Sequence, residues 1–158
     1  MGRFAGDVDL ATRAVGEAPW LMSAALVVSD PHDDLSALTR LAGLEPTAML
    51  GPGDVIDDAP VRGHQWRLDT GADARGALLE DHVESLADLI GDHINTLAAA
   101  LREIDPAHVE LEVRLRFVEH APPIRLTADD IDILGQLRAG VRVRAIVEPD
   151  YGFLDEGD

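Results

Sequence analysis

Groups able to do chemistry are sparse in this chain of 158 residues, and they gather in four places. Asp30-Pro31-His32-Asp33-Asp34 sets three carboxylates and an imidazole side by side. Hard oxygen ligands of this kind suit a divalent cation, but the run lacks the alternating spacing and central Gly of a calcium loop. Carboxylates placed ahead of a helix accept its orphan N–H groups and favour its dipole, so Asp33 or Asp34 is expected to cap the helix that follows. His64-Gln65-Trp66 joins an imidazole to an indole at a loop-to-strand junction. Together these runs offer one candidate ligand pocket, His32, Asp33, His64 and Trp66. Against it stands the habit of Trp to bury its ring in the core and find a partner for its N–H.

The other two places lie on one long helical pattern. Asp81-His82 and Asp92-His93 recur eleven residues apart. On a continuous helix the two imidazoles share a side about 16 Å apart, too far for one metal ion. Glu80, Asp81, Glu84, Asp88 and Asp92 lie opposite the apolar stripe of the same pattern, with no basic residue among them. Like charges at i and i+4 oppose each other by a few tenths of a kcal/mol. The row reads either as a solvated face or as a docking face for a basic protein, where charge complementarity speeds association and sets specificity.

Composition removes whole classes of chemistry. There is no Cys, hence no disulfide, thiolate nucleophile, thiolate zinc site or iron–sulfur ligation. All 13 basic residues are Arg, which removes Schiff-base chemistry and the P-loop lysine. No Gly-x-Ser-x-Gly elbow, dinucleotide fingerprint or His-x-x-x-His pair occurs. No catalytic residue, metal or cofactor is assigned on this basis, and the chain is expected not to be an enzyme. The 30 acids against 13 bases give a net charge of −17, which repels nucleic-acid phosphates and anionic membrane surfaces and attracts a basic partner. The first twenty residues carry Asp7, Asp9 and Glu17 and do not read as a signal peptide, and no apolar run approaches the ~20 residues needed to cross a bilayer. A cytoplasmic location is the expectation.

Those groups need elements to position them. Ser23 to Ser29 is a short apolar run closed by Asp30-Pro31, a buried strand. Leu35, Leu38, Leu41 and Ala42 recur at helical spacing until Gly43. Residues 45–63 are loop by composition, and Gln65 to Asp69 is a second strand. Leu79, Val83, Leu86, Ile90, Ile94, Leu97, Leu101 and Ile104 predict one helix from about Gly76 to Asp105, with Gly91 able to bend or split it. Val109 to Val118 alternates apolar residues with Glu110, Glu112, Arg114 and Arg116, a strand with one wet face. Thr127 caps a helix ending near Gly140, and Val141 to Val147 alternates again with Arg142 and Arg144 outward. The order β-α-β-α-β-α-β predicts an α/β (α+β) two-layer sandwich: a mixed sheet of about four strands with helices mainly on one face. The expected divisions are an arm over residues 1–22, one domain over 23–148 and an acidic tail over 149–158. Charge divides into an acidic helical side and a mixed sheet side, where Glu and Arg of the last two strands are expected to pair.

The pattern resembles a family of small bacterial proteins, the domain of unknown function 4279. The likeness is carried by Ser29-Asp30, Leu41-Ala42-Gly43-Leu44-Glu45-Pro46, Gly53-Asp54, Trp66-Arg67-Leu68 and the helix, Gly turn and strand over Leu126 to Val147. It implies a small α/β fold and no established activity. The expected function is a non-enzymatic, acidic protein-binding module, of the kind an immunity protein neutralising a basic toxin or nuclease would be. The alternatives are a small-ligand or metal-binding regulatory domain, and a structural subunit that self-associates through its sheet.

Overall fold

A computed structural model describes residues 19–71 and 74–155. Of the arm expected over 1–22, residues 1–18 lie outside the described residues, and Trp20 already opens the first strand. The sheet runs β2-β5-β1-β7-β8. Its strands are β1 (Trp20–Asp30), β2 (Ala48–Leu50), β5 (His64–Asp69), β7 (His108–Phe117) and β8 (Gly140–Val147). β1 is antiparallel to both β5 and β7, and β7 is parallel to β8, so the sheet is mixed. The four strands read from sequence are the contiguous β5-β1-β7-β8. A short β6 (Ala74–Arg75) continues the β5 side of β1, pairing at Leu21 and Met22.

β1 is central because it is the strand with little need of water on either face. Met22, Ala24, Leu26 and Val28 enter the core beside Trp66 and Leu68 of β5 and Leu111, Val113 and Leu115 of β7. Among the described residues, four helices cover that face: α1 (Ser36–Ala42), α2 (Leu79–Ile90), α3 (Ile94–Ile104) and α4 (Ala128–Gln136). Leu79, Val83, Leu86 and Ile90 of α2, with Leu97 and Leu101 of α3, supply the stripe seen in the sequence. Each such side chain removed from water stabilises the fold by about 1.5–3 kcal/mol.

One break allowed for in the sequence is realised, and one element differs from expectation. The long helix is interrupted at Gly91, whose φ of 53° and ψ of −128° lie outside helical space and favour a residue without Cβ. A 3₁₀ turn over Gly91–His93 follows before α3 begins. The expected loop over 45–63 contains β2, which pairs with β5, and a hairpin of β3 (Val55–Ile56) and β4 (Ala59–Pro60). Asp57 and Asp58 form its tip with φ of 53° and 62°, the left-handed pair that a tight hairpin turn demands and that Asp tolerates. Strands of two or three residues show no period in sequence, which is why composition alone reads as loop. Gly63 then brings the chain against the end of β1, where a Cβ would lie 2.5 Å from the Asp30 carbonyl oxygen.

Helix caps also shift. Leu35, not Asp33 or Asp34, holds the N-cap position of α1, and Asp34 Oδ1 accepts from the Ser36 N–H at 2.6 Å. Thr127 caps α4 as expected, exchanging bonds with Asp130 in a reciprocal box. Of the tail expected over 149–158, residues 156–158 lie outside the described residues, and Tyr151–Asp155 forms a 3₁₀ turn that buries Phe153.

Candidate ligand cleft on the open sheet face

Opposite the helices, the sheet presents a second face whose pattern follows from strand alternation. In β1 this face carries Leu21, Ser23, Ala25 and Val27; in β5, Gln65, Arg67 and Asp69; in β7, Glu110, Glu112, Arg114 and Arg116; in β8, Arg142, Arg144 and Ile146. Register places Asp69, Ala25, Glu112 and Arg142 in one row across the sheet, and Ser23, Arg114 and Arg144 in the next. Neighbouring strands stand about 4.8 Å apart, so β5 and β7 face each other across about 10 Å. Between them Ser23 and Ala25 are too small to fill the space. The result is a cleft of about 430 Å³, floored by these two residues and walled by Arg67, Asp69, Glu112 and Arg114.

The β3–β4 hairpin forms its roof. Ile56 lines the cleft, and Asp57 reaches down to Arg114, with Nη1 donating to Oδ1 at 2.7 Å and Nη2 to Oδ2 in a two-pronged pair. The Arg114 guanidinium is held below its ordinary range first by burial, then by the neighbouring positive charges of Arg144 and Arg116. Arg142 pairs with Glu110 at 3.1 Å, the Glu–Arg contact between the last two strands that sequence predicts. Arg67 donates to Gln65 Oε1 at 3.1 Å and stands 3.9 Å from Glu112. Arg144 is exposed at the rim and makes no ion pair among the described residues. The C-terminal turn closes the flank: Arg116 bonds Glu148 at 2.6 Å and lies 5.2 Å over the Phe153 ring, and Arg75 donates to the Leu154 carbonyl.

Concavity, small floor residues and convergent guanidinium groups equip this surface to hold an anion; among the described residues no imidazole lines it. Strand alternation in the sequence marks the arginines as a wet face. It misses the cleft because the trench exists only once β1 is set between β5 and β7 and the hairpin is folded over it.

The sequence-derived candidates sit elsewhere. Trp66 is fully buried, its indole N–H donating to Thr39 Oγ1 at 3.0 Å, so the ring belongs to the core. His64 lies opposite Asp30 at the far end of β5. His32 and Asp33 are exposed, their N–H groups donating to Asp30 Oδ1 at 3.0 and 2.9 Å. Those bonds, from Asp33 first and then His32, hold the Asp30 carboxyl below the usual range. The structure thus gathers His32, Asp33 and His64 near one end of the sheet and turns Trp66 away, and none of the four lines the cleft. Among the described residues no group of three or more His, Asp and Glu is arranged to hold a metal ion.

The acidic row is divided. Asp81 accepts from the Leu78 N–H at 2.9 Å and Glu80 stands 3.7 Å from Arg125, while Glu84, Asp88 and Asp92 are exposed. His82, next to Asp81, is buried: Nε2 lies 2.8 Å from the Met22 carbonyl and Nδ1 2.7 Å from Thr70 Oγ1. A carbonyl only accepts, so Nε2 carries the proton and ties α2 to β1. His93 is exposed beside Gly43. Among the described residues, no helix is long and apolar enough to cross a membrane.

No curated protein and no solved structure matches the chain. A family described only as a domain of unknown function, DUF4279, matches residues 21–148, from the second residue of β1 to the residue after β8, and thus takes in the sheet, the hairpin and α1 to α4. The chain belongs to the DUF4279 family.

Proposed function

We propose that this protein is a non-enzymatic binding module whose site is the open-face cleft, and that its ligand presents a carboxylate, on a small molecule or on a partner's side chain. The observation that carries this reading is the rim guanidinium of Arg144, without a counter-ion among the described residues, beside an Arg114 already held by a carboxylate. The Asp57–Arg114 pair supports this choice of ligand group: a planar carboxylate meets the guanidinium through two bonds. The Asp69 carboxylate across the trench, without an ion pair among the described residues, suits an amino group on the same ligand. Calorimetric titration with succinate and with glutamate tests the reading. Both are expected to bind, glutamate more tightly, with affinity falling as salt rises. No heat with either, or equal binding by R144E, overturns it.

A second reading keeps the acidic helical side as a docking face for a basic protein, a toxin or nuclease neutralised in the manner of an immunity protein. It is favoured by Glu84, Asp88 and Asp92, exposed and without ion pairs among the described residues. Mixing with a basic protein across a salt series distinguishes the two: this reading requires binding that E84K/D88K removes and R144E leaves intact.

A further inference from the structure

The last strand of the sheet is open along its whole length. β8 ends the strand order, with β7 on one side and no strand on the other among the described residues. Every one of its residues is exposed, including Val141, Val143, Ile146 and Val147. An edge of this kind normally carries a bulge, a proline or a cover; β8 runs eight residues without any proline, in full register with β7.

Its free backbone groups can be identified. The Glu148 N–H donates to the Phe117 carbonyl of β7 at 2.7 Å. Backbone groups of successive strand residues point to opposite sides, so Arg142, Arg144 and Ile146 share that direction, and Val141, Val143, Ala145 and Val147 aim theirs outward. Side chains alternate between the two faces. On the open face β8 shows Arg142 and Arg144; on the helix face it shows Val141, Val143, Ala145 and Val147.

We infer that β8 is a strand-addition site for a partner segment that alternates acidic and apolar residues. Cross-strand neighbours decide the occupant. A residue opposite Arg142 or Arg144 is best acidic, and those opposite Val143 and Ala145 best apolar. Two copies pairing about the middle of the strand fit poorly: antiparallel pairing centred on Val143 sets Arg142 against Arg144, pairing centred on Arg144 sets it against itself, and pairing centred on Ala145 offers Arg142 only Glu148, which Arg116 already holds. The charge pattern that discourages self-pairing therefore selects an acidic strand, whose backbone supplies affinity and whose side chains supply register. Arg142 and Arg144 also line the cleft; strand addition is set apart from it by the outward amides, which a carboxylate ligand does not touch.

The test is fluorescence anisotropy with a capped, labelled peptide of alternating Glu and Val, against a Lys–Val peptide and a Glu–Val peptide methylated on alternate backbone nitrogens. The Glu–Val peptide is expected to bind and to slow hydrogen exchange at Val141, Val143, Ala145 and Val147. The methylated peptide, with the protein unaltered, is expected to bind about ten-fold or more weakly, since it cannot complete the ladder. Val143→Pro removes one outward N–H, leaves the β7 ladder intact and keeps both arginines, so it should cause a similar loss. Failure of the Glu–Val peptide to bind overturns the inference, as does equal binding by the methylated peptide, which would assign the affinity to carboxylates in the cleft. A doubled mass by light scattering, abolished by Val143→Pro, would replace the acidic partner with a second copy.

Discussion

Replacing Asp57 by Asn separates stability from affinity, because Asp57 holds Arg114, the guanidinium beside the Arg144 that receives the ligand. The side chain keeps its size and its tolerance of a positive φ, so the hairpin tip should retain its turn. What is lost is the carboxylate charge on Arg114. The two side chains are 38% and 33% exposed, which puts the pair above the 0.2–1 kcal/mol of fully exposed pairs only by its two-pronged geometry. We therefore expect D57N to lose about 1 kcal/mol in urea unfolding followed by Trp fluorescence, with an unchanged m value. A ligand carboxylate on Arg144 that also reaches the neighbouring Arg114 competes there with Asp57. Removing the competitor returns the same quantity to binding, so succinate affinity should rise about five-fold, given that 1.4 kcal/mol is ten-fold. Calorimetry on both proteins at two salt concentrations reads the opposite signs together. A variant that loses stability but not its restraint on binding, or one whose succinate affinity falls, would refute Asp57 as an internal competitor.

Three further outcomes follow from the packing. Thr70→Val removes the hydroxyl at Nδ1 of the buried His82 and should cost about 1–3 kcal/mol, read by thermal or urea unfolding, since a buried polar atom loses its partner. Leu86→Ala opens a cavity beneath α2, where Leu86 has no exposure, and should cost about 2–5 kcal/mol in the same assay. The Asp30 carboxyl, held low in the fold by backbone N–H groups, stabilises the protein above the ordinary carboxylate range and loses that contribution as pH falls through its depressed value. D30N should accordingly flatten the acid limb of a stability–pH profile while leaving neutral-pH binding of succinate unchanged.

The helical layer was legible because its signals are local. Leu79, Val83, Leu86 and Ile90 repeat at helix spacing, and Thr127 with Asp130 forms its capping box within four residues. The alternation over residues 109–117 and 141–147 likewise fixed which side of each strand is polar. Three features were not legible, for one physical reason: each depends on pairing between distant segments. That Ser23 and Ala25 floor a cleft requires β5 and β7 on either side of β1, brought from about forty and ninety residues away. That Asp57 reaches Arg114 requires a hairpin of two-residue strands, too short to show a period. That β8 is an edge is a property of strand order alone. Trp66 misled in the other direction: a chemically capable ring beside His64 marked a pocket in sequence, whereas its indole is spent on Thr39 inside the core.

The most direct test of the binding assignment is backbone amide NMR during a glutamate titration, run on the wild type and on R144E. The cleft requires shifts that saturate together at Ser23, Ala25, Arg67, Asp69 and Arg114, are weakened by salt and vanish in R144E. Shifts that leave these residues still and move Asp30 to Asp34 and His64, or that persist unchanged in R144E, would contradict it.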